Sequence, residues 1–114
     1  MITLWHNPRC SKSRQTLKLL EEHGAQVTVR KYLEDAPSRH ELERVSHLLG
    51  LPPAAMIRRG EKLFQELALD ENDTPDDLFD AMAENPVLIE RPIAIHADRA
   101  AIGRPPENVL PLLV

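Results

Sequence analysis

The hydrophobic positions change period along the chain, and the changes divide it into short elements. Ile2, Thr3, Leu4 and Trp5 are mostly β-branched or large apolar residues and predict a strand. Asn7-Pro8 breaks it, because Pro8 has no N–H for a ladder. From Ser11 the spacing becomes helical, with Cys10, Ser13, Leu17 and Leu20 along one face and an expected end at His23-Gly24. Val27, Val29 and Tyr32 alternate with polar residues and predict a second strand, closed by Asp35-Ala36-Pro37. Ser38 with Glu41 three residues on is a capping box. The helix it opens turns Leu42, Val45 and Leu49 inward and stops at Gly50, before Pro52-Pro53. Short helices are expected from Ala54 to Arg59 and from Phe64 to Leu69. Thr74-Pro75-Asp76-Asp77 starts another helix, with Leu78 and Met82 inward and Asn85-Pro86 at its end. Ile93 to Ile95 and Arg99 to Ile102 read as a hairpin turning at Ala97-Asp98, and a last short helix carries Val109, Leu110 and Leu113.

The order is β-α-β, a cluster of helices, then a hairpin and a closing helix. The first unit implies two parallel strands joined by a right-handed crossover, so the fold class is α/β with a helical insertion at about residues 38–86. A chain of 114 residues is expected to form one domain with its own core. It contains no apolar run long enough to span a bilayer and opens on a strand without a signal-peptide pattern. A single cysteine fits a reducing compartment, so the cytoplasm is expected, with no membrane partner. The net charge of -4 and the lack of a basic tract disfavour nucleic-acid binding. His23, His40, His47 and His96 show no metal spacing with the cysteine or with each other, so no metal is expected.

Cys10 stands where the first strand passes into the first turn of a helix. Free N–H groups and the positive end of the helix dipole favour a thiolate or an oxyanion there. Two readings fit: a small apolar residue buried under the helix, or a nucleophile activated by the dipole and by His6, Arg9, Lys12 and Arg14 nearby.

The run His6-Asn7-Pro8-Arg9-Cys10 followed by Ser11-Lys12-Ser13-Arg14 resembles the active-site loop of the glutaredoxin-linked arsenate reductase family, usually H-N-P-x-C-G-T-S-R. Tyr32-Leu33-Glu34 with Pro37-Ser38-Arg39, Ile57-Arg58, Arg91-Pro92-Ile93 and Gly103-Arg104-Pro105 match the later landmarks in order, so the resemblance covers essentially the whole chain. It implies a thioredoxin-like mixed sheet, with the helical cluster between the two halves and a cis Arg91-Pro92 bond. It also implies reduction of arsenate to arsenite: Cys10 attacks arsenic as thiolate, assisted by His6 and Ser13, with Ser13 in reach of the sulfur. His6 either tunes the thiol or only hydrogen-bonds the loop. Arg58, Arg91 and Arg104 would bind the oxyanion, with Arg59 the alternative to Arg58, and Ser11 and Lys12 would lie at the same site. With no second cysteine, glutathione would serve as cosubstrate and glutaredoxin would clear the mixed disulfide. No bound cofactor and a monomeric state are expected.

Ser11 and Lys12 depart from the usual Gly-Thr pair, which changes the loop's freedom and adds a charge beside the anion site. The alternative functions are a glutathione-dependent thiol reductase on another substrate and a non-enzymatic transcription regulator of the same fold. The regulators often carry a C-x-x-C switch; here the third position after Cys10 is Ser13.

Overall fold

The computed structural model describes residues 1–114, which divide into two compact units. Met1–Asp35 with Arg91–Val114 form a sheet unit, and Ala36–Glu90 form a helical unit. No helix is long and apolar enough to cross a membrane.

In the sheet unit, β1 (Ile2–Trp5), α1 (Ser11–Glu22) and β2 (Val27–Arg30) make the expected crossover, with β1 and β2 parallel. The hairpin β3 (Ile93–His96) and β4 (Arg99–Ile102) joins antiparallel to β1, giving the order β2-β1-β3-β4. This four-stranded mixed sheet carries the thioredoxin-like arrangement. Ile2 and Leu4 point to one face, as strand alternation requires, and there they join Leu20, Ala94, Val109 and Leu112 in one buried cluster. Trp5 and its β3 partner Ile93 point the other way and are also buried, with the Arg30 guanidinium 5.7 Å from the Trp5 ring.

The helix α1 ends at Glu22 and turns through Gly24, whose positive φ of 76° suits glycine. Its buried residues are Ser13, Thr16 and Leu20, with Leu17 only half-buried. Tyr32, expected in the second strand, lies beyond it in a turn and is fully buried. The closing segment forms the expected short helix. Pro106–Leu113 is a 3₁₀ helix, so every third residue returns to the same side, and Pro106, Val109 and Leu112 are buried while Leu110 and Leu113 are half-covered. Pro111 within it has no N–H to continue an α-helical ladder.

In the helical unit, α2 (Arg39–Leu49) packs on α4 (Pro75–Glu84). Both bonds of the capping box form: Glu41 N–H donates to Ser38 Oγ at 3.1 Å, and Ser38 N–H donates to Glu41 Oε1 at 3.0 Å. Thr74 caps α4 by accepting from Asp77 N–H. Leu42, Val45, Leu78 and Met82 are buried, while Leu49 is only half-covered and Ser46 takes an inward place, its hydroxyl donating to Leu51 O. Arg39 pairs with Glu43 on its own helix and ties α2 to α4 through Asp76 and Asp80.

The helix expected from Ala54 to Arg59 is absent. Only Pro53–Ala55 forms a 3₁₀ turn, and Ile57 makes an antiparallel bridge with Ile89. Arg58 N–H donates to Leu88 O and Glu90 N–H to Met56 O, each at 2.7 Å, so a pairing between distant segments replaces the local helix. The second short helix, α3, spans Lys62–Glu66, starting before and ending before the expected Phe64 to Leu69 range.

Gly103 joins β4 to the closing segment under a steric constraint. A Cβ there would lie 2.6 Å from Thr16 Oγ1 and 2.8 Å from Pro92 Cγ. Thr16 cannot swing away freely, since it is buried and its hydroxyl donates to Lys12 O at 2.8 Å. Gly103→Ala therefore overpacks the seam and is expected to destabilise the fold by about 1–3 kcal/mol. Urea unfolding checks this: an unchanged midpoint and slope would contradict the packing account.

Candidate active site

Asn7 builds the turn that presents Cys10. Its side-chain oxygen accepts from Arg9 N–H at 3.0 Å, and its carbonyl accepts from Cys10 N–H at 3.0 Å, the local closure that asparagine makes before proline. Cys10 is the N-cap residue of α1, with extended backbone angles, and its carbonyl accepts from Arg14 N–H. The thiol is partly exposed. It sits over the unsatisfied N–H groups of the first helical turn.

Behind the loop, Ser13 is fully buried and its hydroxyl acts as a joint. Asn7 N–H donates to it at 3.0 Å, and it shares a 2.7 Å hydrogen bond with His6 Nδ1. His6 is buried at the end of β1, its N–H donating to Arg30 O. Burial pushes the imidazole pKa down, and the charges of Lys31 and Arg14 push it further, so His6 is neutral at pH 7. The structure thus places the Ser13 hydroxyl on His6 and Asn7. The Ser13 group that favours the thiolate is the backbone N–H.

Two arginines converge on Cys10 from the other half of the sheet unit. Arg104 Nη2 lies 3.6 Å from Cys10 Sγ, while its Nε donates to Arg91 O at 2.7 Å. The Arg91 guanidinium favours the thiolate of Cys10, and the thiolate in turn favours the charged guanidinium. The Arg91–Pro92 peptide is cis, the conformation the resemblance implies, and Arg104–Pro105 is cis as well. Burial alone would push the Cys10 thiol up. The Ser13 N–H, the Arg91 guanidinium and the Lys12 N–H together outweigh that and hold the pKa below its ordinary value.

The remaining expected residues take separate places. Ser11 and Lys12 are the first two residues of α1 and have exposed side chains. Arg58 lies in the helical unit, where its guanidinium donates to Glu61 at 3.2 Å and Glu90 at 3.0 Å. Arg59 pairs with Glu71. No group of three or more His, Cys, Asp or Glu is arranged to hold a metal ion. The sequence reading assigned no site role to Asn7, although Asn before Pro at a strand end signals this turn.

Comparison with known proteins agrees with this architecture. The ArsC family model matches residues 5–112. An arsenate reductase of Haemophilus influenzae is 45% identical over 114 residues, covering 98% of each chain. An arsenate reductase of Neisseria meningitidis serogroup A is 46% identical over 110 residues, covering 95% of this chain and 94% of its own. The solved structure of an arsenate reductase from Vibrio cholerae superposes with a TM-score of 0.93 at 51% identity, covering 97% of this chain and 96% of that one.

The electrostatics of Cys10 can be read directly from its reactivity. The depressed pKa means the unfolded chain binds more protons between the two values, so the stability contributed by this thiolate is complete above the unfolded pKa and is lost as pH falls through the folded one. Iodoacetamide alkylation should titrate with a midpoint below that of a free thiol, and Arg91→Ala should raise it. A wild-type midpoint at or above the free-thiol value would contradict the charge arrangement.

Proposed function

The chain belongs to the ArsC family, and we propose that it reduces arsenate to arsenite with glutathione as cosubstrate, through a thiolate at Cys10. Arsenate is a tetrahedral oxyanion. Its reduction takes two electrons, which two thiols supply as they join in a disulfide. Cys10 attacks arsenic, a sulfur–arsenic bond forms, and one arsenate oxygen leaves as water. A glutathione thiolate then resolves the arsenylated cysteine. Arsenic departs as arsenite with the electron pair, and Cys10 is left disulfide-linked to glutathione. A second glutathione, delivered through glutaredoxin, returns the free thiol and releases glutathione disulfide. A reducing cytoplasm would supply both thiols.

In this reading Arg91 and Arg104 bind the anion as well as holding the thiolate. Forked guanidinium donors match the edges of a tetrahedral oxyanion. The N–H groups at the start of α1 face the same place. Ser11 and Lys12 are proposed to border the anion, with Lys12 adding charge. His6 and Ser13 act through the loop: neutral His6 holds the Ser13 hydroxyl, which in turn holds Asn7 N–H. Arg58 is already paired with two carboxylates, so in this reading it contributes less than the other two arginines.

The observation that carries the proposal is the pairing of the single thiol with two guanidinium groups at the start of α1. A coupled assay following NADPH oxidation with glutathione, glutathione reductase and glutaredoxin tests it. Arsenate should accelerate the wild type, Cys10→Ser should fall to background, and Arg91→Ala should lose roughly 10- to 100-fold in kcat/KM. If arsenate fails to stimulate the wild type while Cys10 still forms a glutathione adduct, the substrate is a different disulfide or oxyanion.

A further inference from the structure

We propose that Asn108 is a positioning residue that sets Arg104 over the Cys10 thiol. Arg104 follows β4 after Gly103 and precedes two prolines. Neither Pro105 nor Pro106 has an N–H to close the turn after it. The side chain of Asn108 closes it instead, with Nδ2 donating to Arg104 O at 3.0 Å. Chemistry fixes the orientation of this amide, since a carbonyl only accepts and the nitrogen must face it. Asn108 N–H donates to Pro105 O, also at 3.0 Å, so one residue holds the turn by its backbone and its side chain. Asn108 is itself anchored: it lies in the first turn of the closing helix, next to Val109, which is buried in the core cluster with Leu112.

On the other side, Arg104 N–H donates to Ile102 O at 2.9 Å, so the peptide groups flanking the Arg104 Cα are both held. From this fixed base the guanidinium spans two targets, with Nε on Arg91 O at 2.7 Å and Nη2 3.6 Å from Cys10 Sγ. A long side chain loses rotamer freedom when it is fixed in this way. A backbone free to move would enlarge that loss. Removing the Asn108 amide leaves Arg104 its charge and loosens the base from which it reaches the sulfur.

This inference rests on the reading of Cys10 as the reacting group, and its test does not need arsenate. The rate of Cys10 alkylation by iodoacetamide would be measured from acid to alkaline pH in the wild type, Asn108→Ala, Arg104→Ala and the double variant, with urea unfolding to confirm that each is folded. Arg104→Ala removes an opposite charge beside the thiolate and should raise the midpoint. Asn108→Ala should raise it in the same direction and slow alkylation at pH 7 by roughly two- to fivefold, the size expected of one hydrogen bond at the surface. In the Arg104→Ala background it should change nothing further, because it acts through Arg104. An unchanged profile in Asn108→Ala, or an equal shift in both backgrounds, would overturn the proposal.

A second measurement reads Arg104 itself. In protein labelled with a heavy nitrogen isotope, the Arg104 Nε–H signal is assigned by NMR through its loss in Arg104→Ala. Its exchange with water should be slow, because Arg91 O accepts this hydrogen. Asn108→Ala should speed that exchange by roughly two- to fivefold, while the backbone N–H groups of β1 and β3 keep their rates. Exchange at the wild-type rate, or exchange that quickens equally throughout the sheet, would also overturn it. Loss of arsenate turnover with the alkylation pattern intact would count against the substrate and leave the role of Asn108 standing.

Discussion

A thiolate survives at neutral pH only where positive charge and hydrogen-bond donors outweigh the cost of removing it from water. The sheet unit is organised around one such place. Burial disfavours the charged sulfur of Cys10, and the Ser13 and Lys12 N–H groups of α1 together with the Arg91 guanidinium reverse the balance, while Arg104 Nη2 lies 3.6 Å from the same sulfur. These groups come from opposite ends of the sequence. The antiparallel pairing of β1 with β3 brings Arg91 to the thiol that follows β1. The hairpin to β4 then returns Arg104 to the same sulfur.

Packing keeps those charges in register. Gly103 has no space for a side chain between Thr16 of α1 and Pro92, so the seam between helix and hairpin closes at backbone distance. Gly103 N–H also donates to Pro92 O at 2.9 Å, immediately before Arg104.

Much of this was legible in the sequence because the signals are local. Ser38 with Glu41, Thr74 with Pro75, and Gly24 and Gly50 each fix a helix end through neighbours a few residues away. The parallel pairing of the first two strands followed from the crossover rule, the loop motif pointed to Cys10, and the family resemblance pointed to the cis bond before Pro92. What remained hidden was set by distant partners. Ile57 is strand-paired because Ile89 is opposite it, which no local pattern near Ala54 reveals. Arg58 carries two carboxylates, one of them 32 residues away. The Ser13 hydroxyl turns to His6 and Asn7 for an equally hidden reason, the way the loop folds back on the end of β1.

The central claim is that Cys10 itself joins to glutathione as arsenate is reduced. Intact-mass measurement of the wild-type chain, mixed with arsenate and glutathione in the absence of glutaredoxin, tests it most directly. The account predicts one glutathione linked to Cys10 by a reducible bond, formed only when both arsenate and glutathione are present. An unmodified chain after arsenite has formed, or an adduct that appears to the same extent without arsenate, would contradict it.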